Sequence, residues 1–447
     1  MGNLGIEILD LFGIWILGFG ISTKPSIQYA ELKTMEMRSQ HFDVIVIGMG
    51  LSGLMAAKTA AEAGQKVLIV GKGMGSLCLF SNTIDVLGQF PTAMKMKDSL
   101  SQWINDHPEH PYSKVGLEGI EEALSSFLSL FPPPYSFHTL DDANCLLPTG
   151  AGTLRPTYLV PTTMMEAASL QEGQTLIVGF SGFKDFYSRY VADQLSCRGI
   201  NLPLPDPFCQ ELTATGLARL LEQESFTETI GREVKKQLRG ETRVGFPALL
   251  GIRDPVHIKE ELEEIMGTKV FEIPILPPSV PGKRIFDRFK EWFIQKGVTF
   301  LLGYPVSNVA LTENRCQGIE VLHPPVITFY SADRFILATG RFMSGGLKAD
   351  AEKILEPTFN LPVRQPLSRE GWFGHSFFSD LPHPIHQAGV FTNAFFQPVD
   401  DAGNLILENV WVAGSVLAHH QCIGEKSREG IEIATGYWAA KNALGNS

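Results

Sequence analysis

The stretch His41-Phe-Asp-Val-Ile-Val-Ile-Gly-Met-Gly-Leu-Ser-Gly-Leu-Met-Ala-Ala-Lys-Thr-Ala-Ala-Glu-Ala-Gly64 predicts a strand, a tight turn and a helix. Asp43 to Ile47 is a nearly continuous apolar, β-branched run, which is typical of a strand buried on both faces. Gly64 ends the helix, and a second apolar strand follows from Lys66 to Val70. Together these segments make a βαβ unit and indicate an α/β fold.

The turn carries three glycines, Gly48, Gly50 and Gly53, in the spacing G-x-G-x-x-G. Gly48 permits the sharp turn, Gly50 lets the backbone approach a phosphate, and Gly53 lets the helix pack closely on the strand. The phosphate would then meet free N–H groups at the start of the helix. We therefore predict a nucleotide or flavin site, with a phosphate-free α/β turn as the alternative.

The end of the second strand separates the possible cofactors. Dinucleotide sites usually carry Asp or Glu there to hold the ribose 2′-OH of adenosine. Here Val70 is followed by Gly71 and Lys72. The missing acid favours FMN over FAD or NAD, because FMN has no adenosine ribose for a residue at that position to bind.

The composition bounds the class of protein. The chain has 447 residues and 44% hydrophobic residues, enough for two or three domains with a large core. A formal net charge of -11, with no Lys/Arg-rich stripe, argues against nucleic acid as a partner. The six cysteines form no C-x-x-C pair, so we predict neither a zinc site nor an iron–sulfur cluster, and instead the reduced thiols of a cytoplasmic protein.

Residues 1–40 are predicted to be an N-terminal extension outside the fold. Leu11 to Ser22 is apolar but shorter than the roughly 20 residues that span a bilayer. No Lys or Arg precedes Lys24, whereas a signal peptide has a positive first segment. Our hypothesis is that residues 1–36 are dispensable or reflect the choice of start site. An intact N-terminus at full abundance in mass spectrometry of the native protein would contradict it.

Three short strands at 306–311, 318–322 and 326–330 are predicted to form a meander, followed by a strand from Arg334 to Ala338. A meander that leads into Ile-Leu-Ala-Thr-Gly340 is typical of two-dinucleotide-fold flavoproteins. The predicted fold class is therefore α/β, a Rossmann-like flavin-binding domain with an inserted α/β domain. Residues 41–90 and 300–447 would form the discontinuous flavin domain, and 91–299 the inserted substrate or cap domain, where strands and helices alternate.

Hydroxyl residues and cations supply further candidates. Ser81 and Thr83 lie in a Gly-rich segment that can run along a flavin, or that is an ordinary loop. Arg155 follows a Gly-rich loop and is a candidate anion contact, with an unpaired surface arginine as the alternative. Lys283 and Arg284 stand at a helix start, where a cation opposes the helix dipole, so we interpret them as candidate partners of a substrate phosphate.

Two later turns complete the predicted cofactor site. Gly340 ends the returning strand, and Arg341 follows it at the expected ligand edge. The strand from Asn409 ends in Ala-Gly414-Ser415, where FAD proteins usually have Gly-Asp. A serine can still donate a hydrogen bond to the ribitol, so Gly414 and Ser415 remain cofactor candidates.

Several stretches between about residues 42 and 443 together resemble one family, the B subunit of anaerobic glycerol-3-phosphate dehydrogenase. The motifs that carry the resemblance are Gly48-Met-Gly-Leu-Ser-Gly53, Ser81-Asn-Thr-Ile-Asp-Val-Leu-Gly88, His110-Pro-Tyr-Ser113, Gly152-Thr-Leu-Arg155, Leu276-Pro-Pro-Ser-Val280, Phe342-Met-Ser-Gly-Gly-Leu347 and Ala413-Gly-Ser-Val416. The Pro-Pro-Ser-Val and Ser-Gly-Gly-Leu pieces are the most specific. After Val416 the family tends to be Gly-rich, whereas this chain has Ala418-His-His-Gln-Cys-Ile-Gly-Glu425.

The resemblance implies an FMN-bearing subunit that works with an FAD-bearing A subunit and an iron–sulfur C subunit. It implies a cytoplasmic location, with peripheral attachment to the membrane through these partners. Electrons from sn-glycerol 3-phosphate would pass toward quinone and leave dihydroxyacetone phosphate.

Removing a hydride from a secondary alcohol needs a base for the hydroxyl proton, and His419 and His420 are the candidates because they closely follow the flavin strand. Arg341 completes the predicted catalytic set and, with Arg155, Lys283 and Arg284, is also a candidate contact for the substrate phosphate. The alternative interpretation of His419 and His420 is two partly exposed loop histidines. There are two alternative functions. The chain could be an electron-relay or assembly subunit that holds FMN but turns over no substrate, or a dehydrogenase of another hydroxy substrate.

Overall fold

The computed structural model describes residues 40–170, 174–204, 212–376 and 382–445. The predicted N-terminal extension lies outside these residues, apart from Gln40, which begins the first strand. That part of the domain assignment stays a prediction.

The described residues form eleven α-helices. They are α1 (Leu51–Glu62), α2 (Met96–Asp106), α3 (Pro111–Val115), α4 (Leu117–Leu128), α5 (Ser188–Gln194), α6 (Ala214–Leu220), α7 (Glu224–Gln237), α8 (Pro255–Met266), α9 (Val280–Lys296), α10 (Cys422–Glu425) and α11 (Arg428–Ala443). Within the described part of the chain, none of the helices has both the length and the apolar composition that crossing a bilayer requires.

The same residues form nineteen strands. They are β1 (Gln40–Ile47), β2 (Val67–Gly71), β3 (Phe137–His138), β4 (Cys145–Pro148), β5 (Leu154–Thr157), β6 (Val160–Pro161), β7 (Thr175–Phe180), β8 (Arg198–Leu202), β9 (Arg243–Pro247), β10 (Lys269–Ile273), β11 (Thr299–Leu302), β12 (Val306–Thr312), β13 (Arg315–His323), β14 (Val326–Leu337), β15 (Lys348–Ala349), β16 (Ile354–Leu355), β17 (Val363–Arg364), β18 (Gly389–Val390) and β19 (Val410–Val412). The shortest of these pair two by two into small ladders.

The main sheet has seven strands in the order β11-β2-β1-β14-β13-β12, with β19 also paired to β14. β11, β2, β1, β14 and β19 run parallel, and β12 and β13 form an antiparallel meander on β14. The two strands predicted at 326–330 and 334–338 are one continuous strand, β14. Its first half pairs with β13 and its end with β19, so the meander leads directly back into the parallel sheet.

Helices cover this sheet and complete the first hydrophobic core. β1 is buried as its apolar run predicts, with Val44, Ile45 and Val46 fully inaccessible to solvent. Helix α11 lies so close to α1 that a Cβ on Gly436 would overlap the carbonyl oxygen of Ser52. Only glycine permits this approach.

A second sheet has the all-parallel order β10-β9-β7-β8 and its own hydrophobic core. The fold class predicted from the sequence, an α/β fold with a Rossmann-like sheet and an inserted α/β unit, is confirmed. Helices α2, α3, α4 and α9 contribute side chains to the first core although they lie between residues 91 and 299. The division at residues 90 and 300 stays a prediction.

Candidate functional site

The carboxyl ends of β1 and β14 meet above the start of α1. Gly48 has a φ of +119°, and a Cβ there would overlap the carbonyl oxygen of Ala338, while one on Gly53 would overlap the carbonyl oxygen of Gly48. Gly50 differs, because a methyl group added there meets nothing within 4 Å. Gly50 is the N-cap of α1 and offers no side-chain cap, so the first N–H groups of the helix lack a side-chain acceptor. This arrangement suits a phosphate.

The predicted cofactor residues of β14 and β19 lie beside this turn. A Cβ on Gly340 would be 3.7 Å from the Oγ of Ser415, and a Cβ on Gly414 would overlap the Oγ of Ser52 in α1. The buried hydroxyl of Thr339 has no hydrogen-bond partner among the described residues. This edge of the sheet therefore brings together the glycines that the sequence singled out, with an unsatisfied polar group among them.

The segment after β2 folds over the glycine turn. Its short 3-10 helix, Gly75–Cys78, lies so close that a Cβ on Gly75 would be 2.9 Å from the Cα of Gly50. The hydroxyls of Ser81 and Thr83 are 3.2 Å apart, and the Thr83 hydroxyl is 3.4 Å from Oδ1 of Asp85. In this arrangement the two predicted hydroxyl residues bond to each other and to a carboxylate.

Arg155 forms an ion pair with Asp85, which is 1% exposed. Thr157 also donates a hydrogen bond of 2.6 Å to this carboxylate. Burial, and then the negative charge of Glu429, raises the pKa of Asp85 to about 7, although Arg155 and Thr157 act in the opposite direction. The Arg155 side chain is one-third exposed, with a relative accessibility of 33%. Asp85 therefore offsets the charge of Arg155 in part.

The start of α11 adds a second buried charged group that the sequence analysis did not assign. Arg428 pairs with Glu429, lies 4.0 Å from Glu432 and packs over the ring of Phe80 at 3.7 Å. Ser76 donates a hydrogen bond of 3.3 Å to Glu432. Burial raises the pKa of Glu432 to about 7, and the charge of Glu429 adds to this while Arg428 opposes it.

Arg341 was predicted as a catalytic residue, and its guanidinium instead contacts backbone carbonyls. It donates to the carbonyl oxygens of Ser415 at 2.6 Å, Leu417 at 3.2 Å and His420 at 3.1 Å, and also to that of His386. These bonds hold the loop that follows β19. The geometry thus gives Arg341 a positioning role, while its part in the reaction stays a prediction.

His420 is fully buried, and neither of its ring nitrogens has a hydrogen-bond partner among the described residues. Burial lowers the pKa of His420 well below its usual value, and the positive charge of Arg341 adds to this, whereas the nearby Ser415 carbonyl opposes it. His419 adopts a φ of +65° and places Nδ1 3.3 Å from the carboxylate of Glu109. The two histidines therefore differ, because only His420 is entirely inside the protein.

Lys283 and Arg284 are engaged elsewhere. Arg284 is 5% exposed and forms two hydrogen bonds of 2.7 Å to Glu272, which is fully buried. Lys283 pairs with Asp287 at 2.8 Å, one turn further along α9. Their side chains line a groove of about 930 Å³ beside α9. Three of the four cations predicted for a substrate phosphate, Arg155, Lys283 and Arg284, are thus each paired with a carboxylate, and the fourth, Arg341, contacts backbone carbonyls.

Sequence reasoning missed several buried ionisable residues near this edge, among them Asp85, His110, Glu425, Arg428, Glu429 and Glu432. A signal was present for two of them. Asp85 stands inside the apolar run Ile84-Asp-Val-Leu87, and Glu432 lies between Ile431 and Ile433. A charged residue within an apolar run is buried only where it has a partner or a ligand.

Comparison with known proteins decides the family. The family model described as an FAD binding domain matches residues 43–425. The B subunit of the anaerobic glycerol-3-phosphate dehydrogenase of Vibrio cholerae serotype O1 (strain M66-2) is 32% identical over 424 residues, covering 90% of this chain and 97% of that protein. The chain belongs to this B-subunit family. The resemblance read from the sequence motifs is confirmed.

A second relative and one solved structure are similar over most of the chain. The corresponding B subunit of Aliivibrio fischeri (strain ATCC 700601 / ES114) is 28% identical over 437 residues, covering 90% of this chain and 95% of that protein. Among solved structures, the open conformation of a flavocytochrome c3 fumarate reductase aligns with 93% of this chain and 80% of its own chain. The aligned residues are 11% identical and the TM-score is 0.44.

A flavin fits the residues at the carboxyl edge. Gly50 leaves open space at the start of α1, which has no side-chain cap. Within the part of the chain that the structure describes, the Thr339 hydroxyl and both ring nitrogens of His420 have no hydrogen-bond partner. Buried polar groups without partners are rare in proteins and are expected where a ligand supplies the missing bond. The flavin-binding fold predicted from the sequence is confirmed by the family model.

Proposed function

We propose that this chain is the flavin-bearing subunit of a quinone-linked anaerobic glycerol-3-phosphate dehydrogenase. In this proposal it oxidises sn-glycerol 3-phosphate to dihydroxyacetone phosphate. The observation that carries the proposal is His420, a fully buried imidazole on the loop that follows the cofactor strand β19, whose two nitrogens have no hydrogen-bond partner among the described residues. Family membership supplies the substrate class.

We propose FMN as the cofactor. The end of β2, where an adenosine ribose would be held, offers Gly71 and Lys72 and no carboxylate. Met49 is 2% exposed and packs onto this end, since a Cβ on Gly71 would be 2.9 Å from its Cγ. FMN needs only the phosphate position at Gly50, whereas FAD would also have to place its adenosine over Met49 and Gly71.

When bound, the flavin supplies the acceptor for a hydride. In this proposal the neutral imidazole of His420 would take the proton of the substrate hydroxyl. Arg341 holds the backbone of the loop on which His420 lies, through the carbonyls it contacts. Arg155 is the candidate contact for the substrate phosphate, since one-third of its side chain is exposed.

We propose further that an FAD-bearing A subunit and an iron–sulfur C subunit complete the enzyme and pass the electrons toward quinone. The support for partners is that the relatives are named as the B subunit of a dehydrogenase. In this proposal the chain is cytoplasmic and reaches the membrane only through these partners.

A specific observation favours a second candidate, an FMN relay or assembly subunit that turns over no substrate. Of the four cations considered for the substrate phosphate, three are paired with carboxylates, Arg155 with Asp85, Lys283 with Asp287 and Arg284 with Glu272. The fourth, Arg341, donates its hydrogen bonds to backbone carbonyl oxygens. A site for an organic phosphate normally keeps cationic donors free for the ligand.

The test begins with the purified full-length protein. Its chromophore is released, identified as FMN or FAD by mass, and its bleaching by glycerol 3-phosphate is followed without oxygen. His420→Gln is expected to retain the flavin and to slow bleaching by about 10²–10⁴-fold, the usual contribution of a general base. His107→Gln is the matched control, because His107 stacks on Trp103 and has no bond to this site.

Bleaching of bound FMN in the wild type would support the dehydrogenase. FMN that stays oxidised with glycerol 3-phosphate would support the relay function. Bleaching only by a different hydroxy compound would point to another substrate, and a protein without flavin would contradict both candidates.

A further inference from the structure

Two charged side chains, Arg341 and the buried Glu425, hold the peptide bond between His420 and Gln421. Arg341 donates a hydrogen bond of 3.1 Å to the carbonyl oxygen of His420. On the other side, the amide of Gln421 donates a hydrogen bond of 2.8 Å to Oε1 of Glu425. The guanidinium of Arg341 thus contacts the negative, carbonyl end of the peptide dipole, and the carboxylate of Glu425 contacts its positive, N–H end. Hydrogen bonds to charged groups in this arrangement are stronger than those between neutral groups.

Glu425 is itself oriented by His110. The Nδ1 of His110 lies 3.1 Å from the backbone N–H of Tyr112, which can only donate, so Nδ1 is the acceptor. The other nitrogen, Nε2, then carries the proton and donates to Oε2 of Glu425 at 3.3 Å. The hydroxyl of Ser427 donates to the same oxygen at 2.8 Å. Both oxygens of Glu425 therefore have partners.

The side chains that surround the Glu425 carboxylate are buried. His110 is 2% exposed, Glu425 is 3% exposed and Ser427 is fully buried. Burial acts to raise the pKa of Glu425, but the bond from His110, the Gln421 amide and Ser427 outweigh it and lower the pKa. The carboxylate therefore stays ionised beside the loop.

The imidazole of His420 contrasts with the backbone that carries it. Its ring stands edge-on to the His110 ring, with 6.3 Å between the ring centroids, and its two nitrogens make no hydrogen bond within the described residues. The backbone is held on both sides while the reactive atoms are left without partners. Functional groups that must be ready for a ligand are held in this way.

We propose that Glu425, oriented by His110, is a positioning residue that acts with Arg341 to aim the His420 imidazole at the ligand edge. The inference rests on the proposed function, in which His420 takes the substrate proton. Glu425 and His110 act through His420 and are not themselves catalytic residues.

The test compares two substitutions at His110 in the full-length, flavin-loaded protein. Gln places an amide N–H where Nε2–H lies and can still donate to Glu425. Asn places its amide near Nδ1 and leaves Glu425 without that donor. We expect His110→Asn to lower the rate of flavin reduction by glycerol 3-phosphate, per bound flavin, by about 10–100-fold. KM should change little, and His110→Gln should recover to within about threefold of the wild type.

A second readout does not depend on turnover. The Gln421 amide should exchange with solvent deuterium faster in His110→Asn than in the wild type, and His110→Gln should restore its protection. His107→Asn is the matched control, because it removes an imidazole from the same segment that has no bond to Glu425. It should change neither the exchange at Gln421 nor the rate.

The outcomes separate the two proposals. A His110→Asn variant that reduces its flavin at the wild-type rate, or a Gln421 amide with unchanged exchange, overturns the positioning role. If the wild type itself is not reduced by glycerol 3-phosphate, the proposed function fails, and the exchange experiment alone decides whether His110 and Glu425 hold the loop.

Discussion

Replacing Arg284 by methionine is expected to lower the free energy of unfolding by about 3–5 kcal/mol, the usual cost of removing one partner of a buried ion pair. Arg284 is 5% exposed and Glu272 is fully buried, and two hydrogen bonds of 2.7 Å join them. Methionine keeps much of the side-chain volume. The cost therefore arises because the carboxylate of Glu272 loses its counter-charge inside the protein.

The position of the pair explains why its loss should be felt globally. Arg284 lies on α9, which packs in the first core, and Glu272 lies on β10 of the second sheet. Glu272 also accepts hydrogen bonds from Thr163 at 2.6 Å and from the amide of Leu250 at 2.8 Å. These bonds join α9 to the elements around the second sheet.

A urea titration followed by tryptophan fluorescence measures the effect. Adding Glu272→Gln to Arg284→Met should recover about 1–3 kcal/mol, because the second change removes the unpaired charge and keeps an acceptor for Leu250. Lys283→Met is the control. The pair of Lys283 with Asp287 is about one-third exposed, with side-chain accessibilities of 30% and 33%, so its loss should cost about 1 kcal/mol or less.

A specific result would refute this reasoning. If Arg284→Met unfolded within about 1 kcal/mol of the Lys283 control while its KM for glycerol 3-phosphate rose tenfold or more, Arg284 would bind the substrate phosphate. That is the role the sequence alone suggested for it.

Three more predictions concern the ligand edge. Gly50→Ala should leave the free energy of unfolding within about 1 kcal/mol of the wild type, because no atom lies within 4 Å of the added methyl group. It should nevertheless lose bound flavin, measured by absorbance, because the methyl group would hold a phosphate away from the turn. Gly73→Ala is the control and should keep the flavin, because its added methyl group also meets no atom within 4 Å. Gly48→Ala should destabilise the fold by about 2 kcal/mol or more in thermal unfolding, since the methyl group would overlap the Ala338 carbonyl at a φ of +119°. Folding raises the pKa of Asp85 from 3.8 to about 7, because the buried side chain is more stable protonated than ionised. The free energy of unfolding of the wild type is therefore not reduced by Asp85 below about pH 4, and it decreases as the pH rises from about 4 to about 7. Asp85→Asn lacks this loss, and its stability relative to the wild type should therefore increase between pH 4 and 8, by an amount on the order of 4 kcal/mol in urea titrations; a pH-independent difference would contradict the raised pKa.

Local features of the sequence were enough to predict the first βαβ unit and the glycine turn. The apolar run before Gly48 became β1, Gly48 makes the sharp turn and Gly53 the close helix packing that the spacing predicted, and the phosphate role of Gly50 stays a prediction. Such features depend on residues that are neighbours in the chain, through allowed φ/ψ angles and the period of apolar residues. The end of β14 and the turn after β19 were predictable for the same reason.

The partners of the charged residues were decided only by the tertiary structure. Arg341 was interpreted as catalytic, and it contacts carbonyl oxygens between 45 and 79 residues away in the chain. Arg284 was interpreted as a phosphate ligand because its charge opposes the dipole of α9. In the structure, Glu272 of the second sheet neutralises that charge. His110 and Glu425, which lie 315 residues apart, could not be connected from the sequence. A side chain's charge is encoded locally, but whether it is buried, and beside which partner, depends on which strands and helices the sheet order brings together.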